Sequence, residues 1–220
     1  PYGPTGSVIA INSTIVQNRN SAIGASGGGI AAGHVTLHNT ILAQNSSTYS
    51  PDLQHLGGSL TVEHSLVGNS SGTTLTPTSG DTPDANGNFI GSAGSPIDPL
   101  LGPLQDNGGP TFTHALLDDS LARDAGNNAL AVDPTNSNAP LATDQRGAGF
   151  DRSLGGAVDM GAFEAAPLTI LSLGDQVWVE RNLNGVFDPG VDFAPNGVTV
   201  NLYADDGDGV LDAGDGAPIA

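Results

Sequence analysis

The chain has 220 residues, a formal net charge of −18 and a sequence pI of about 4.1. This length accommodates one domain, or one domain and part of a second. The acidity argues against binding to nucleic acid or to anionic membrane surfaces, because contacts with phosphate groups require lysine and arginine. The chain contains no lysine and no cysteine, which excludes Schiff-base lysine chemistry, Lys–Asn isopeptide cross-links, disulfides and thiolate metal sites within it.

The acidic side chains are mostly aspartate: of the 23 acidic residues, 3 are glutamate and 20 are aspartate. Aspartate is short, tolerates turns and supplies hard oxygen ligands, so divalent cations are its natural counter-charge. An acidic surface that only aids solubility is the alternative. No run of 18 apolar residues occurs, so we expect no membrane span. Because Pro1-Tyr2-Gly3-Pro4 does not resemble a signal peptide, we expect a segment of a longer or processed polypeptide.

One phrase recurs three times, at residues 12–18, 39–45 and 64–69, with spacings of 27 and 25 residues. Each copy has a short apolar core between polar residues that favour turns. A repeat of this length with one strand core per copy predicts a solenoid of stacked β-coils. We expect two or three short strands per coil, with small apolar residues inward and asparagines at equivalent corners stacked as amide ladders.

The phrase has the pattern N-S/T-x-I/L-x-x-N, and a glycine-rich corner follows at residues 27–29. Over residues 1–92 this resembles the right-handed parallel β-helices of the Pectobacterium-lyase-like and polymorphic-outer-membrane-protein type. The composition of residues 71–88 predicts a loop, and residues 88–91 predict one more short strand.

Four motifs then follow in order between residues 104 and 164: L-x-D-N-G-G-P-T-x-T-x-A-L, S-x-A-x-D-A-G, D-Q-R-G and D-x-G-A-x-E. The series resembles the end of choice-of-anchor Q β-helix proteins. The resemblance implies that residues 97–166, approximately, are the last coils and the C-terminal cap of a β-helix domain spanning residues 1–166. We expect the acids of these motifs to pair with nearby arginines and tie the cap to the coil beneath it. The residues concerned are Asp144, Asp159, Glu164, Arg123, Arg146 and Arg152.

Longer alternating β runs begin after a linker, at residues 172–180 and 197–203. With the intervening residues they resemble the pattern G-D-x-V-W-x-D-x-N-x-N-G-x-x-D-x-G-E…G-V-T-V-x-L-Y of the calcium-binding SdrD B-like domain, a Cna B-type β-sandwich. The resemblance covers the first half of such a domain and implies a partial sandwich over residues 167–220. The predicted fold class is therefore all-β: a right-handed parallel β-helix with a C-terminal cap, then a partial β-sandwich. Half a sandwich leaves an apolar face and an unpaired edge that need a neighbour.

Two loops of this region place oxygen ligands at EF-hand-like spacing, and we predict that they bind Ca²⁺. The first departs from the EF-hand pattern with Glu180 at position 1 and with Asp192 one residue after position 12. The second has Ala204 at position 1, next to Asp205. Solvated acidic turns without an ion are the alternative. The predicted ligands are Asp175, Glu180, Asn182, Asn184, Val186, Asp188 and Asp192 around the first loop, and Asp206, Asp208, Val210, Asp212 and Asp215 in the second.

The five histidines match no common zinc motif. We expect structural roles for them, with His38 and His64 stacked in adjacent coils.

Two classes of function remain. The first is a bacterial extracellular or cell-surface structural or adhesive protein, a calcium-stiffened stalk or filament subunit rather than an enzyme. Its partner would be itself, joined head to tail by strand complementation. The alternative is a polysaccharide lyase or hydrolase, or a glycan-binding β-helix. Residues 1–92 are a poor match for an acidic-glycan site, since their one basic residue besides histidine is Arg19 and their acids are few: Asp52, Glu63, Asp81 and Asp84.

Overall fold

The computed structural model describes residues 6–167, which lie in one compact unit, Pro1–Leu168. Their regular structure is β, apart from a single 3-10 turn at Asn128–Leu130. The strands are β1 (Ser7–Ile11), β2 (Thr14–Val16), β3 (Ile30–Ala32), β4 (His34–His38), β5 (Ile41–Ala43), β6 (Leu53–His55), β7 (Leu60–Glu63), β8 (Leu66–Val67), β9 (Phe89–Ile90), β10 (Leu101–Gln105), β11 (Thr113–Leu116), β12 (Val132–Asp133) and β13 (Ala139–Pro140).

Strands β1 to β9 form a parallel β-solenoid of about three turns, which confirms the predicted stacking of coils. Its three sheets are β1-β4-β7, β2-β5-β8-β9 and β3-β6. The repeated phrases align in register: Ile15 of the first coil lies beside Leu42 of the second, and Leu42 lies beside Val67 of the third. The second coil contains three strands, β3 to β5, and the predicted extra strand is present as β9.

Side chains of the β1-β4-β7 sheet alternate between the solenoid interior and solvent. In β4, Val35 and Leu37 are buried, whereas the residues between and beside them are partly or fully exposed. In β5, by contrast, Ile41, Leu42 and Ala43 are all completely buried. Such a continuous apolar run is typical of a strand covered on both faces. The interior cluster consists of Ala10, Ile30, Ala32, Val35, Leu37, Leu42, Leu53, Val62 and Val67.

Asparagine ladders turn the corners between sheets. Asn12, Asn39 and His64 occupy equivalent corners with φ of 43°, 48° and 46°, a left-handed conformation that asparagine adopts more readily than most residues. Asn39 Nδ2 donates to Asn12 Oδ1 at 3.3 Å, and Asn18 Nδ2 donates to Asn45 Oδ1 at 2.9 Å at the next corner. The predicted amide ladders are confirmed.

The predicted stacking of His38 on His64 is wrong. His38 is the register partner of Glu63, and its Nε2 lies 3.1 Å from Glu63 Oε2. His64 is the next residue along and takes the corner position that asparagine holds in the first two coils. The register of the two coils is therefore shifted by one residue from the register that would stack His38 on His64.

The loop between β8 and β9 closes the C-terminal end of the solenoid. Leu75 packs against the interior cluster from this loop. The loop is held by Thr78, whose N–H donates to Ile90 O at 2.8 Å and whose Oγ1 accepts from Ile90 N at 3.0 Å. Gly72 O also accepts from His55 N at 3.1 Å. A stretch that composition predicted only as a loop thus covers the apolar interior.

Residues 97–166, which we call the flanking segment, lie along the β2-β5-β8-β9 sheet. Gly161 N donates to Asn39 O at 2.8 Å, and Ala162 N donates to Thr14 Oγ1 at 3.0 Å. The segment was predicted to close the end of the solenoid, but these contacts place it on the side, from the first coil onward. The buried cluster that joins it to the sheet contains Ile41, Ala43, Leu66, Phe89, Leu116, Ala122, Met160 and Ala165.

Burial explains this position. The β2-β5-β8-β9 sheet has apolar side chains on its outer face as well as inside, and the flanking segment removes them from water. Gly161 has φ of 99°, and a Cβ there would lie 2.8 Å from Thr14 Oγ1 and 2.9 Å from Ile41 Cδ1. The glycine of the D-x-G-A-x-E motif is therefore required for close contact between the segment and the sheet.

Within residues 6–167 the structure contains no helix with the length and apolarity needed to cross a membrane. The predicted partial sandwich, apart from its first residue, lies outside the described residues.

Candidate functional site: the open edge of the first coil

All of the predicted calcium ligands, from Asp175 to Asp215, lie outside the described residues, so their prediction stays untested. Within the part of the chain that the structure describes, no group of three or more His, Asp or Glu side chains is close enough to hold a metal ion.

Histidines in the described part have protein partners that account for most of them. His34 Nδ1 lies 3.0 Å from Ser59 Oγ, His64 Nδ1 lies 3.3 Å from Ala125 O and His114 Nδ1 lies 2.7 Å from Gly102 O. His38 and Glu63 form an acid–base pair on the outer face of the β1-β4-β7 sheet. These contacts join neighbouring strands or tie the flanking segment to a coil, which are structural roles.

The acids and arginines of the flanking segment pair with each other, as predicted, but not with the coil beneath. Arg146 Nη2 lies 2.6 Å from Asp144 Oδ2, and Arg152 Nη2 lies 2.6 Å from Glu164 Oε2. Both pairs are buried and lie inside the segment. Arg123, the third candidate, contacts the exposed Asp118 at 3.3 Å. The polar contacts with the coils come instead from backbone groups and from asparagine, threonine, histidine and glutamine side chains.

Backbone N–H groups donate to both oxygens of each buried carboxylate of the segment. Asp159 accepts from the N–H of Asp124 at 2.7 Å and of Ala165 at 2.6 Å. Glu164 accepts from Leu154 N at 3.1 Å and Asp159 N at 3.0 Å in addition to Arg152. Burial raises the pKa of both Asp159 and Glu164 above their ordinary values. Carboxylates with both oxygens engaged in this way organise the chain around them.

Arg146 is also held between two aromatic rings, which sequence reasoning missed. Its guanidinium carbon lies 4.0 Å from the ring centre of Phe150 and 3.8 Å from that of Phe163. Cation–π contacts with the two rings fix the side chain together with Asp144. Phe163, within the D-x-G-A-x-E motif, was the one sequence feature that could have indicated this contact. Nothing in the sequence indicated that it would pack against an arginine.

Asp52 is a second residue that the sequence did not single out as structural. Its Oδ1 accepts from Asn45 N at 3.0 Å and Asn45 Nδ2 at 2.9 Å, and its Oδ2 accepts from Asn69 N at 2.7 Å. The carboxylate therefore bridges the second and third coils at the corner ladder. Burial raises its pKa. No cation is needed to explain this buried acid, because three N–H donors surround it.

Strand β1 has a partner strand on one side only among the described residues, and on its other side Ile11 O accepts from Ser13 Oγ at 2.9 Å. It pairs only with β4, and the bonds are fixed by Gly6 O, which accepts from His34 N at 3.1 Å, and by Asn12 N, which donates to His38 O at 3.0 Å. Because alternate residues of a parallel strand bond to the same neighbour, the N–H and C=O groups of Ile9 and Ile11 face the other way. Ile9 is also 60% exposed. We call residues 7–11 and 14–16 the first-coil edge.

A cleft of about 760 Å³ lies beside this edge. One wall contains residues of the first coil that point toward the solenoid interior, and the other wall belongs to the flanking segment. Apolar and polar groups thus meet in a space next to an unpaired strand. The lining includes Val8, Ala10 and Ile15 from the coil and Leu141, Thr143, Gln145, Arg152 and Ala162 from the segment.

The fold defines the described part of the chain as a β-solenoid with a flanking antiparallel region. No family model matches the chain, and searches among curated proteins and among solved structures found no match. The resemblances to choice-of-anchor Q proteins and to SdrD B-like domains therefore remain predictions.

Proposed function

We propose that the chain is part of a bacterial extracellular or cell-surface structural protein, a stalk or filament subunit that associates end to end with copies of itself. In this proposal the solenoid is a right-handed β-helix of the choice-of-anchor Q type. Residues 167–220 form the first half of a Cna B-type sandwich that Ca²⁺ stiffens.

The observation that carries the proposal is the difference between the first coil and the coils above it. Val35 and Leu37 of the second coil are 1% and 0% exposed because coils lie on both sides of them. In the first coil, Val8 and Ile15 remain partly exposed and line the cleft. A solenoid repeat is stable when both neighbours cover it, or when a polar terminal repeat shields it. An apolar coil that has no second partner strand among residues 6–167 favours association with another β element.

Calcium dependence tests the proposal. The full chain should form large species in sedimentation velocity and fibres or arrays in electron micrographs when CaCl₂ is present, and chelation with EGTA should dissolve them. The double substitution Asp188→Ala and Asp208→Ala should have the same effect as chelation, since it removes one predicted ligand from each loop. Asp119→Ala, at an exposed position of the flanking segment, is the matched control. Assemblies that survive both chelation and the double substitution would contradict the proposal.

A further inference from the structure

We propose that Asn69 is an acceptor site for N-linked glycosylation, to which a sugar is attached through the side-chain amide nitrogen Nδ2. This inference goes beyond the proposed structural role and does not depend on self-association. The chain contains three N-x-S/T triplets, the acceptor sequence of this modification, which begin at Asn12, Asn45 and Asn69. All three begin at corners of the solenoid, but their side-chain amides have different environments.

The corner ladders engage the amides of Asn12 and Asn45. Both residues are 7% exposed. Asn12 Nδ2 donates to Asp159 O at 3.4 Å, and Asn45 Nδ2 lies 2.9 Å from Ile15 O and 3.1 Å from Ala43 O. A sugar on either nitrogen would remove these hydrogen bonds and would need space that a close-packed corner does not provide.

Asp52 explains why Asn69 differs. Asn69 ends the third copy of the repeated phrase, as Asn18 and Asn45 end the first two. Asn45 Oδ1 accepts from both Asn18 N and Asn18 Nδ2, at 2.9 Å each. In the next step of the ladder it is Asp52 Oδ1 that accepts from Asn45 N at 3.0 Å and from Asn45 Nδ2 at 2.9 Å. Asp52 therefore takes the place of Asn69 in the ladder, and the side-chain amide of Asn69 is left out of it.

The side chain of Asn69 turns toward its own triplet instead. Its Oδ1 accepts from Ser71 N at 2.9 Å, which is an Asx-turn. Asn69 is partly exposed, and its Nδ2 has no hydrogen-bond acceptor among residues 6–167. The nitrogen that would carry the sugar is therefore not committed to the fold of the described part.

The hydroxyl of the third residue is the other functional group of an acceptor triplet, and it shows the same contrast. Thr14 Oγ1 accepts from Ala162 N at 3.0 Å, and Ser47 Oγ is buried. Ser71 is partly exposed, and its Oγ forms no hydrogen bond with another described residue. Of the three triplets, the one at Asn69 therefore presents both groups.

A cavity of about 310 Å³ lies beside Asn69. Its lining combines the apolar side chains of Pro96 and Ile97 with the polar side chains of Gln44 and Asp98. Asp98 is exposed, and its Oδ1 accepts from Gln44 Nε2 at 3.0 Å. A sugar ring offers both apolar C–H groups and hydroxyl groups, which match a lining of this mixed kind.

The transfer replaces one hydrogen of the amide nitrogen with the sugar. The donor is a sugar whose anomeric carbon carries a diphosphate leaving group. The bond from Nδ2 to the anomeric carbon forms as the bond from that carbon to the diphosphate oxygen breaks. The diphosphate leaves with the electron pair, and the amide proton passes to a base of the transferring enzyme.

Glycosyl transfer to the folded chain tests the proposal. The full chain is incubated with UDP-glucose and a purified N-glycosyltransferase that uses N-x-S/T acceptors, and each triplet is then followed by digestion and mass spectrometry. Synthetic peptides of residues 8–18, 41–51 and 65–75 measure the same transfer without tertiary structure. We expect Asn69 of the folded chain to react within about tenfold of its peptide, and Asn12 and Asn45 at least about 100-fold more slowly than theirs, because a ladder must open first.

Two substitutions of Ser71 are the matched controls. Ser71→Ala removes the hydroxyl and should abolish transfer to Asn69, whereas Ser71→Thr retains the acceptor triplet and should retain the transfer. Both variants should keep the circular dichroism spectrum of the parent chain. Protection of Asn69 to the same degree as Asn45 would overturn the inference, as would equal reaction of all three triplets in the folded chain. Transfer that persists in Ser71→Ala would show that the triplet is not what is recognised, and would also overturn it.

Discussion

The two ends of the solenoid are built from the same repeat but finish differently. At the C-terminal end, Leu75 reaches from an irregular loop onto the interior cluster, and Thr78 pairs with Ile90. At the N-terminal end, Val8 and Ile15 line a cleft, and no second strand of the described range 6–167 pairs with β1 beside β4. The contrast shows that segments inserted between the repeats, and not the repeats themselves, determine whether the end of a solenoid is covered. The repeat specifies only how one coil packs on the next.

We expect the largest effect on stability when a buried apolar side chain is shortened to alanine, and we compare the same position in two coils. Leu42→Ala, completely buried in the second coil, should lower the free energy of unfolding by about 2–5 kcal/mol. Ile15→Ala, its register partner in the first coil, should cost less than about 2 kcal/mol because its side chain is already partly exposed. Urea denaturation monitored by circular dichroism measures both.

Protein concentration sharpens this first test. If a second copy covers the first coil, the cost of Ile15→Ala should increase with protein concentration, whereas the cost of Leu42→Ala should change less. Equal costs at all concentrations would show that the first coil is covered as completely as the second within one chain.

A smaller effect should come from the closed end. Leu75→Ala removes the one leucine that the loop places against the interior, and it should cost about 1–2 kcal/mol because the side chain is only partly buried. Thr76→Ala, exposed in the same loop, is the control and should lie within about 0.5 kcal/mol of the parent chain. The effect of Leu75→Ala should not depend on protein concentration. A cost no larger than that of Thr76→Ala would remove the distinction between the two ends.

The coils were predictable from the sequence because each repeat meets a copy of itself. Ile15, Leu42 and Val67 recur at the spacing that stacks them, and asparagines recur at the corners. Strand β5, whose three consecutive apolar residues are all buried, is covered on both faces. What covers the second face was not predictable, since Thr14 and Ala162 are separated by 148 residues. The order of the four motifs between residues 104 and 164 predicted a segment that covers the end of the solenoid, whereas the segment covers its side.

The candidate site was predictable only in part. The wall of the cleft that faces the first coil comes from Leu141 and its neighbours, which belong to no repeat. Leu75 is a single apolar residue among threonines and prolines, so no periodic signal marked it as part of the core. His64 occupies an asparagine position, and the histidine pattern therefore pointed to the wrong pair. Irregular segments are placed by tertiary contacts that the repeat period does not contain.

The smallest expected effect concerns pH and the ladder that joins the coils between the two ends. Burial raises the pKa of Asp52 above 3.8, its ordinary value. An acid with a raised folded-state pKa stabilises the fold most when protonated: its contribution is complete below the unfolded pKa and is lost as pH rises through the folded pKa. The contribution of Asp52 to the free energy of unfolding should therefore increase as pH falls from 7 toward about 4.

Comparison with Asp52→Asn isolates this contribution, because asparagine does not titrate. The difference in unfolding free energy between the parent chain and Asp52→Asn should grow in favour of the parent as pH falls. Asp159 and Glu164, whose pKa values are raised by burial, and Asp133, whose pKa is lowered by hydrogen bonds from Thr135, are present in both chains. Their effects therefore cancel in the comparison. Asp119→Asn serves as the exposed control and should run parallel to the parent. If the Asp52→Asn difference is constant with pH, the bridge between the second and third coils does not depend on the charge of Asp52, and its three N–H donors offset the burial of the carboxylate.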